Sequence, residues 1–257
     1  MAKQLLKKVF SVTNQTINLK KYKIITIAGF KIKFRNYNKE ILSALADLKK
    51  RKTLKDYMQI VSSLKTAEYI IKEMPKAQVT TDANEVLKTA LESVTLDGLY
   101  LEFGVFSGRT INFISQNIPE KTIYGFDSFE GLPETWRTGF GKGHFNKQEL
   151  PAVNANVKLV KGWFNETLSK FITEHNIPCA FIHIDCDLYS STRTIFELLK
   201  NNITTGTVIV FDEYFNYPTW EEHEFKAFQE FITENNMKYE YIIYNEVHEQ
   251  VAVKIIN

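Results

Sequence analysis

The sequence predicts an α/β protein with a mostly parallel sheet that is covered by helices on both faces. From residue 99 onward, short apolar segments alternate with amphipathic helical segments, which is typical of parallel βαβ units. Near the end of the chain, residues 239–244 and 248–256 are two strand-like segments separated only by a short turn. This pattern predicts an antiparallel pair that completes the sheet.

The 257 residues can hold one large domain and a smaller appendage. We expect a basic N-terminal extension over 1–37, a helical lead-in over 38–80 and the main domain over 81–257. Within the extension, residues 20–35 read KKYKIITIAGFKIKFR, and their apolar and cationic residues partly alternate on either side of Ala28-Gly29. That alternation predicts a small β-hairpin with a basic face.

Charge is distributed unevenly along the chain. Residues 1–57 contain 15 Lys and Arg but only 3 Asp and Glu, whereas the remainder has 17 and 27. Such an arm either contacts an anionic surface or packs against the acidic body. We expect a cytoplasmic protein that can contact the inner face of a membrane through this arm or form homo-oligomers. Binding to nucleic acid is not expected, because the sequence contains no aromatic-interleaved basic groove.

The helices and strands are predicted from the spacing of apolar residues and from the capping residues between the segments. Residues 38–50 and 54–73 show helical apolar stripes, the second made of Ile60, Val61, Leu64, Ala67 and Ile71. Asp82 is expected to cap a third helix, with Glu85 completing a capping box. The predicted parallel strands are 99–103, 121–127, 157–161, 179–185 and 205–212.

The stretch LYLEFGVFSGRT, residues 99–110, joins the first of these strands to a helix through a glycine turn. Glycines let the backbone approach a ligand closely, and the helix N-terminus offers free N–H donors. The spacing is neither GxGxxG nor a P-loop. It indicates a cofactor loop or simply a tight turn, and the pattern alone leaves both open.

Ligands of doubly wound sheets bind at the carboxyl ends of the strands. Asp127 ends the second strand, where it can accept hydrogen bonds from ribose hydroxyls, and Trp163 follows the third, where it can flank an adenine or belong to the core. The predicted cofactor residues are Glu102, Gly104, Val105, Ser107, Gly108, Arg109, Asp127, Ser128, Gly162, Trp163 and Asp185.

Carboxylates follow the fourth and fifth strands: Asp185, Asp187, Asp212 and Glu213. Four like charges at one sheet edge repel strongly, so either protons or a cation must offset them. Oxygen ligands without a His or Cys cluster favour Mg²⁺. For Asp187 a role as helix cap is an alternative. We predict that Asp185, Asp212 and Glu213 bind the metal.

A long glycine-rich segment, residues 133–152, has the length of an active-site lid. Trp136, Phe140, His144 and Phe145 could cover a substrate there. His144 is an alternative general base or a contact residue. His183 lies within a central strand, where we expect a satisfied core histidine.

Four motifs together, LEFGVFSGRT, YGFDSFEGLPE, HIDCDLYSST and GTVIVFDEY, resemble the macrocin O-methyltransferase family over roughly residues 80–256. The resemblance implies a class I S-adenosylmethionine-dependent methyltransferase fold with a seven-stranded sheet and an antiparallel last strand. It implies Mg²⁺ on Asp185, Asp212 and Glu213, and Asp187 as the general base. The family often has Asp-Asp where this chain has Asp212-Glu213.

That resemblance implies methylation of a sugar hydroxyl, as on the deoxysugars of macrolide and aminocoumarin antibiotics. Residues 20–35 weakly resemble the N-terminal extensions of bacterial enzymes that build surface polysaccharides, so we also expect a capsule or lipooligosaccharide sugar, free or nucleotide-linked, as acceptor. A catechol-type O-methyltransferase is the alternative enzyme, because its metal chemistry is similar. A nucleic-acid-binding protein that uses the basic arm is the alternative from another class.

Overall fold

We describe the fold from a computed structural model of the chain. The structure describes residues 10–17, 20–27, 30–35, 53–147 and 149–257. The chain divides into two units, Met1–Leu54 and Lys55–Asn257.

The first unit contains a three-stranded antiparallel sheet in the order β1-β2-β3. Its strands are β1 (Phe10–Ile17), β2 (Lys20–Ile27) and β3 (Phe30–Arg35). The hairpin predicted over 20–35 is present as β2 and β3, with Ile25 opposite Ile32. The structure adds β1, which lies outside the predicted hairpin. The helix predicted over 38–50 lies outside the described residues.

The second unit alternates helices and strands as predicted. Its elements are α1 (Leu54–Glu73), β4 (Gln78–Thr80), α2 (Ala83–Glu92), β5 (Leu99–Phe103), α3 (Arg109–Asn117), β6 (Ile123–Asp127), β7 (Val157–Lys161), α4 (Phe164–Glu174), β8 (Cys179–Ile184), α5 (Tyr189–Leu199), β9 (Val208–Phe211), α6 (Glu224–Glu234), β10 (Lys238–Asn245) and β11 (Val251–Ile256). No helix among these is long and apolar enough to cross a membrane.

The strands of this unit form one sheet in the order β4-β10-β11-β9-β8-β5-β6-β7. Strand β11 runs antiparallel to both β9 and β10, and the remaining neighbours are parallel. This is the sheet expected of a class I methyltransferase, with one correction. An eighth strand, β4, is added parallel to β10 at the edge, and its three residues are too few to carry a periodic signal.

The central strands are buried on both faces, as parallel strands between helix layers must be. Leu101 and Phe103 of β5 face one apolar core, whereas Tyr100 faces the other, packed against α2 and α3. Side chains of a strand alternate between the two faces. Glu102 therefore shares the face of Tyr100, which bears directly on the site described below.

Helix α2 begins at Asp82, whose carboxylate accepts the backbone N–H of Asn84. The predicted N-cap is confirmed, but the predicted capping box with Glu85 is wrong. The backbone N–H of Asp82 donates to the hydroxyl of Thr80 at 3.1 Å, so this donor already has an acceptor from the preceding strand.

Helix α1 buries a polar face, not the apolar stripe that predicts it. Ser62 and Thr66 are buried, while Leu64 and Ile71 are 66% and 79% exposed. Gln59 donates to the backbone carbonyl of Asn216, and the Asn216 N–H donates to the Thr66 hydroxyl at 3.0 Å. The loop around Asn216 presents backbone polar groups that need partners, and this face of α1 supplies them.

The turn that follows β5 depends on a close approach of two backbones. Gly104 is the first residue after β5 and has φ +93°, and a Cβ atom placed there would lie 1.7 Å from the carbonyl oxygen of Asp185. The conformation is one that L side chains rarely adopt, and the neighbouring atom is backbone and cannot move away.

We therefore expect Gly104→Ala to reduce the free energy of unfolding by about 3 kcal/mol or more, through strain and displacement of the loop after β8. Chemical denaturation of both proteins measures this. The control is Gly141→Ala, whose Cβ would meet nothing within 4 Å. Equal stability of the two variants would contradict the close approach.

Candidate active site

A cavity of about 500 Å³ opens at the carboxyl ends of β5, β6, β8 and β9. Eight of the residues predicted for cofactor, metal or base lie in its wall: Gly104, Asp127, Ser128, Trp163, Asp185, Asp187, Asp212 and Glu213. The strands place them there because the chain leaves each parallel strand at the same edge of the sheet.

The glycine turn is held by Asp127. One oxygen of its carboxylate accepts the backbone N–H groups of Val105 at 2.9 Å and Phe106 at 2.8 Å. Its other oxygen accepts the N–H of Phe129 at 2.7 Å. Phe106 has a positive φ of 44°, a conformation that costs energy for a bulky residue. Asp127 thus fixes the loop as well as facing the cavity.

Six predicted cofactor residues are not among the described residues that line the cavity: Glu102, Val105, Ser107, Gly108, Arg109 and Gly162. Gly108 is the N-cap of α3 with φ 77°, and the N–H of Gly162 donates to the carbonyl of Asp127. Gly108 and Gly162 therefore shape the loops that follow β5 and β7. Val105 is buried in the core against α2 and α3.

Glu102 lies within the sheet, beside His183 of the neighbouring strand. Both side chains are buried, and Glu102 Oε2 lies 3.6 Å from His183 Nδ1. Neither this nitrogen nor the Glu102 oxygens have a hydrogen-bond partner among the described residues, so His183 is not the fully satisfied core histidine expected. Burial raises the pKa of Glu102, and His183 opposes that shift.

The three predicted metal ligands come together. One oxygen from each of Asp185, Asp212 and Glu213 lies within 4.8 Å of the others. Backbone hydrogen bonds that continue the strand ladders position two of them: Asp185 N–H donates to Phe103, and Asp212 N–H donates to Ile184, each at 2.9 Å.

This cluster meets the requirements of a divalent cation. Oε2 of Glu213 is buried and has no hydrogen-bond partner in the described part of the chain. Burial, followed by repulsion from Asp212, raises the pKa of both Asp185 and Glu213. An all-oxygen donor set suits Mg²⁺, and a bound ion would offset the repulsion. The residues present therefore fit the metal.

Asp187 is only 6% exposed and has a positive φ of 65°. Burial raises its pKa to about 7, while the cation of Arg137 opposes the shift. The N-cap of α5 is Leu188, without a side-chain cap bond, so Asp187 does not cap that helix. Its carboxylate lies in the cavity wall instead.

The segment predicted as a lid contributes aromatic side chains to the cavity wall. These are Trp136, Phe140 and Phe145. His144 is exposed, packs its ring against Phe140 and Phe145, and is not among the described residues that line the cavity.

Sequence reasoning missed two residues that complete this region. Arg137 lines the cavity, stacks over the Trp136 ring at 3.8 Å and pairs with Glu249 at 3.3 Å. Gln250 donates to Asp212 at 3.1 Å. The Arg137–Glu249 and Gln250–Asp212 contacts join residues 112 and 38 positions apart, so no local pattern marks them.

Comparison with known proteins gives the class. Residues 101–214 match a family model described as a methyltransferase domain. The chain is 19% identical to the calicheamicin methyltransferase CalS11, with a TM-score of 0.56 over 79% of this chain and 94% of that one. The fold is therefore that of the class I methyltransferases.

Two curated relatives of this chain are O-methyltransferases. One is 8-demethyl-8-(2,3-dimethoxy-alpha-L-rhamnosyl)-tetracenomycin-C 4'-O-methyltransferase of Streptomyces olivaceus, 26% identical over 50% of this chain and 58% of its own length. The other is demethyldecarbamoylnovobiocin O-methyltransferase of Streptomyces niveus, 22% identical over 52% and 60%. The chain thus spans less than two thirds of either relative. Both fit the predicted resemblance to the macrocin O-methyltransferase family.

Proposed function

We propose that this protein is an S-adenosylmethionine- and Mg²⁺-dependent O-methyltransferase that acts on a sugar hydroxyl. One observation carries the proposal: three clustered carboxylates and the buried Asp187 share a cavity with the glycine turn after β5. This combination supplies a place for the methyl donor, a cation site and a proton acceptor within one wall.

Asp185, Asp212 and Glu213 would hold the ion, which when bound lowers the pKa of an acceptor hydroxyl. The cavity would hold S-adenosylmethionine, which would supply the methyl group and keep the electron pair of the broken C–S bond on its sulfur. Asp187 takes the hydroxyl proton as the oxygen–carbon bond forms. The remaining task of the chain is to position both substrates and keep water out.

The aromatic part of the cavity can accommodate a sugar. Trp136, Phe140 and Phe145 offer aromatic faces that can pack against the C–H groups of a pyranose. Vicinal hydroxyls suit a cation held by carboxylates. The rhamnosyl group in the name of one relative supports a deoxysugar of a secondary metabolite as the substrate class. A role in surface polysaccharides, membrane contact and self-association remain predictions.

The cofactor assignment is tested at Asp127. We expect Asp127→Asn to weaken binding of S-adenosylhomocysteine about 10-fold or more, because the amide loses the charge that holds Val105 and Phe106 and faces the ribose. Titration calorimetry measures this. Asp97→Asn, an exposed carboxylate paired with Lys121, is the control and should bind as wild type does. Absence of binding by the wild-type protein would contradict the methyltransferase proposal itself.

The metal assignment is tested by thermal unfolding with and without Mg²⁺. A ligand that binds only the folded state at 100 times its Kd stabilises it by about 2.7 kcal/mol, so the melting temperature should rise with Mg²⁺ and fall with chelator. We expect Asp185→Asn to lose this response together with turnover, and Asp97→Asn to keep both. Full activity in excess chelator would overturn the metal assignment.

The base assignment is tested by comparing Asp187→Asn with His144→Ala. We expect the first to reduce kcat by about 10²- to 10⁴-fold, since an amide cannot accept the proton, while Mg²⁺ binding is retained. His144→Ala should change kcat less than about threefold, since His144 lies outside the cavity wall. The reverse ranking in steady-state assays would transfer the role of base to His144.

A further inference from the structure

Glu224 is a fully buried carboxylate to which the proposed mechanism gives no role. It is the first residue of α6 and has no exposed surface. It is not among the described residues that line the cavity, and it does not belong to the three-carboxylate cluster. A buried charged group requires partners, and those of Glu224 are unusual.

Its carboxylate accepts hydrogen bonds from two different loops. Oε1 accepts the backbone N–H groups of Cys186 at 3.3 Å and Asp187 at 3.2 Å, in the loop after β8. Oε2 accepts the backbone N–H of Glu213 at 3.3 Å, in the loop after β9. One side chain thus joins the segment that carries Asp185 and Asp187 to the segment that carries Glu213.

These loops need such a connection because the strands end just before them. The ladder bonds between β5, β8 and β9 stop at Asp185 and Asp212, and beyond them the backbone N–H groups have lost their sheet partners. Asp187 also adopts a positive φ, a conformation that persists only when neighbouring contacts enforce it. Glu224 supplies the acceptor for the Asp187 N–H in this conformation.

We propose that Glu224 is a positioning residue: it fixes the distance and orientation between the two loops that carry the metal ligands and the base. The catalytic consequence rests on the proposed function. The three hydrogen bonds that Glu224 accepts, called the clamp below, are present in the metal-free protein. Residues that orient metal ligands from behind commonly change metal affinity or activity by 10- to 100-fold when substituted.

The test uses Glu224→Gln, which keeps the shape but offers only one accepting oxygen for three N–H donors. Its control is Glu222→Gln, two residues away, where the carboxylate is exposed and pairs with Lys226. Amide hydrogen exchange of the metal-free proteins reads the clamp directly, and titration with Mn²⁺ reads its effect on the site.

In the wild type and in Glu222→Gln, we expect the amides of Cys186, Asp187 and Glu213 to be protected. In Glu224→Gln their exchange should accelerate about 10-fold or more, and the Kd for Mn²⁺ should rise about 10- to 100-fold. Exchange of these amides at the rate of exposed groups in the wild type would overturn the clamp, even if the variant fails to fold. Unchanged protection and Mn²⁺ affinity in a folded Glu224→Gln would overturn it as well.

The two proposals fail separately. If the wild type binds no Mn²⁺, the metal-dependent function is wrong, while amide exchange still decides whether Glu224 holds the loops together. If Mn²⁺ binds equally well to the wild type and to a folded Glu224→Gln, only the positioning role is wrong.

Discussion

Repulsion between carboxylates is the constraint on which this site depends. Asp185, Asp212 and Glu213 converge where two parallel strands end, and Glu224 lies buried behind them. Such a concentration of negative charge in low dielectric destabilises the folded state unless protons, donors or a cation oppose it. The sheet resists this repulsion because its central strands are buried on both faces and cannot move apart without exposing core.

On each side of the cavity, one carboxyl group accepts backbone hydrogen bonds from the surrounding loops and fixes them. Asp127 accepts three backbone N–H groups and fixes the glycine turn. Glu224 accepts three others and joins the loops that carry the acidic residues. In each case a carboxylate supplies the acceptors that the sheet no longer offers beyond its edge. The cofactor side and the metal side are therefore both shaped by hydrogen bonds from the backbone to a carboxyl group.

Much of this architecture could be predicted because it follows from local pattern and strand direction. The residues that directly follow β8 and β9 include Asp185, Asp212 and Glu213, so their place at the sheet edge could be predicted. Glu102 lies inside β5 and not beyond its end, so its side chain is buried within the sheet beside His183 and is not among the described residues that line the cavity. The contacts of Glu224 and Gln250 depend on distant segments meeting, and a single sequence carries no signal for them. Strand β4 is too short for periodicity to detect.

Helix α1 contacts the rest of the second unit in two different ways along its length. Between Gln59 and Thr66 its polar side chains contact the loop around Asn216, whereas Tyr69 and Ile70 pack on the core. Hydrogen bonds exchanged with water contribute little net free energy, but burial of aromatic surface contributes more. We therefore expect the contacts of Gln59 and Thr66 to open at a lower free energy than those of Tyr69 and Ile70. Because Asn216 lies three residues after Glu213, such an opening would let solvent reach the backbone beside the acidic cluster while the sheet stays intact.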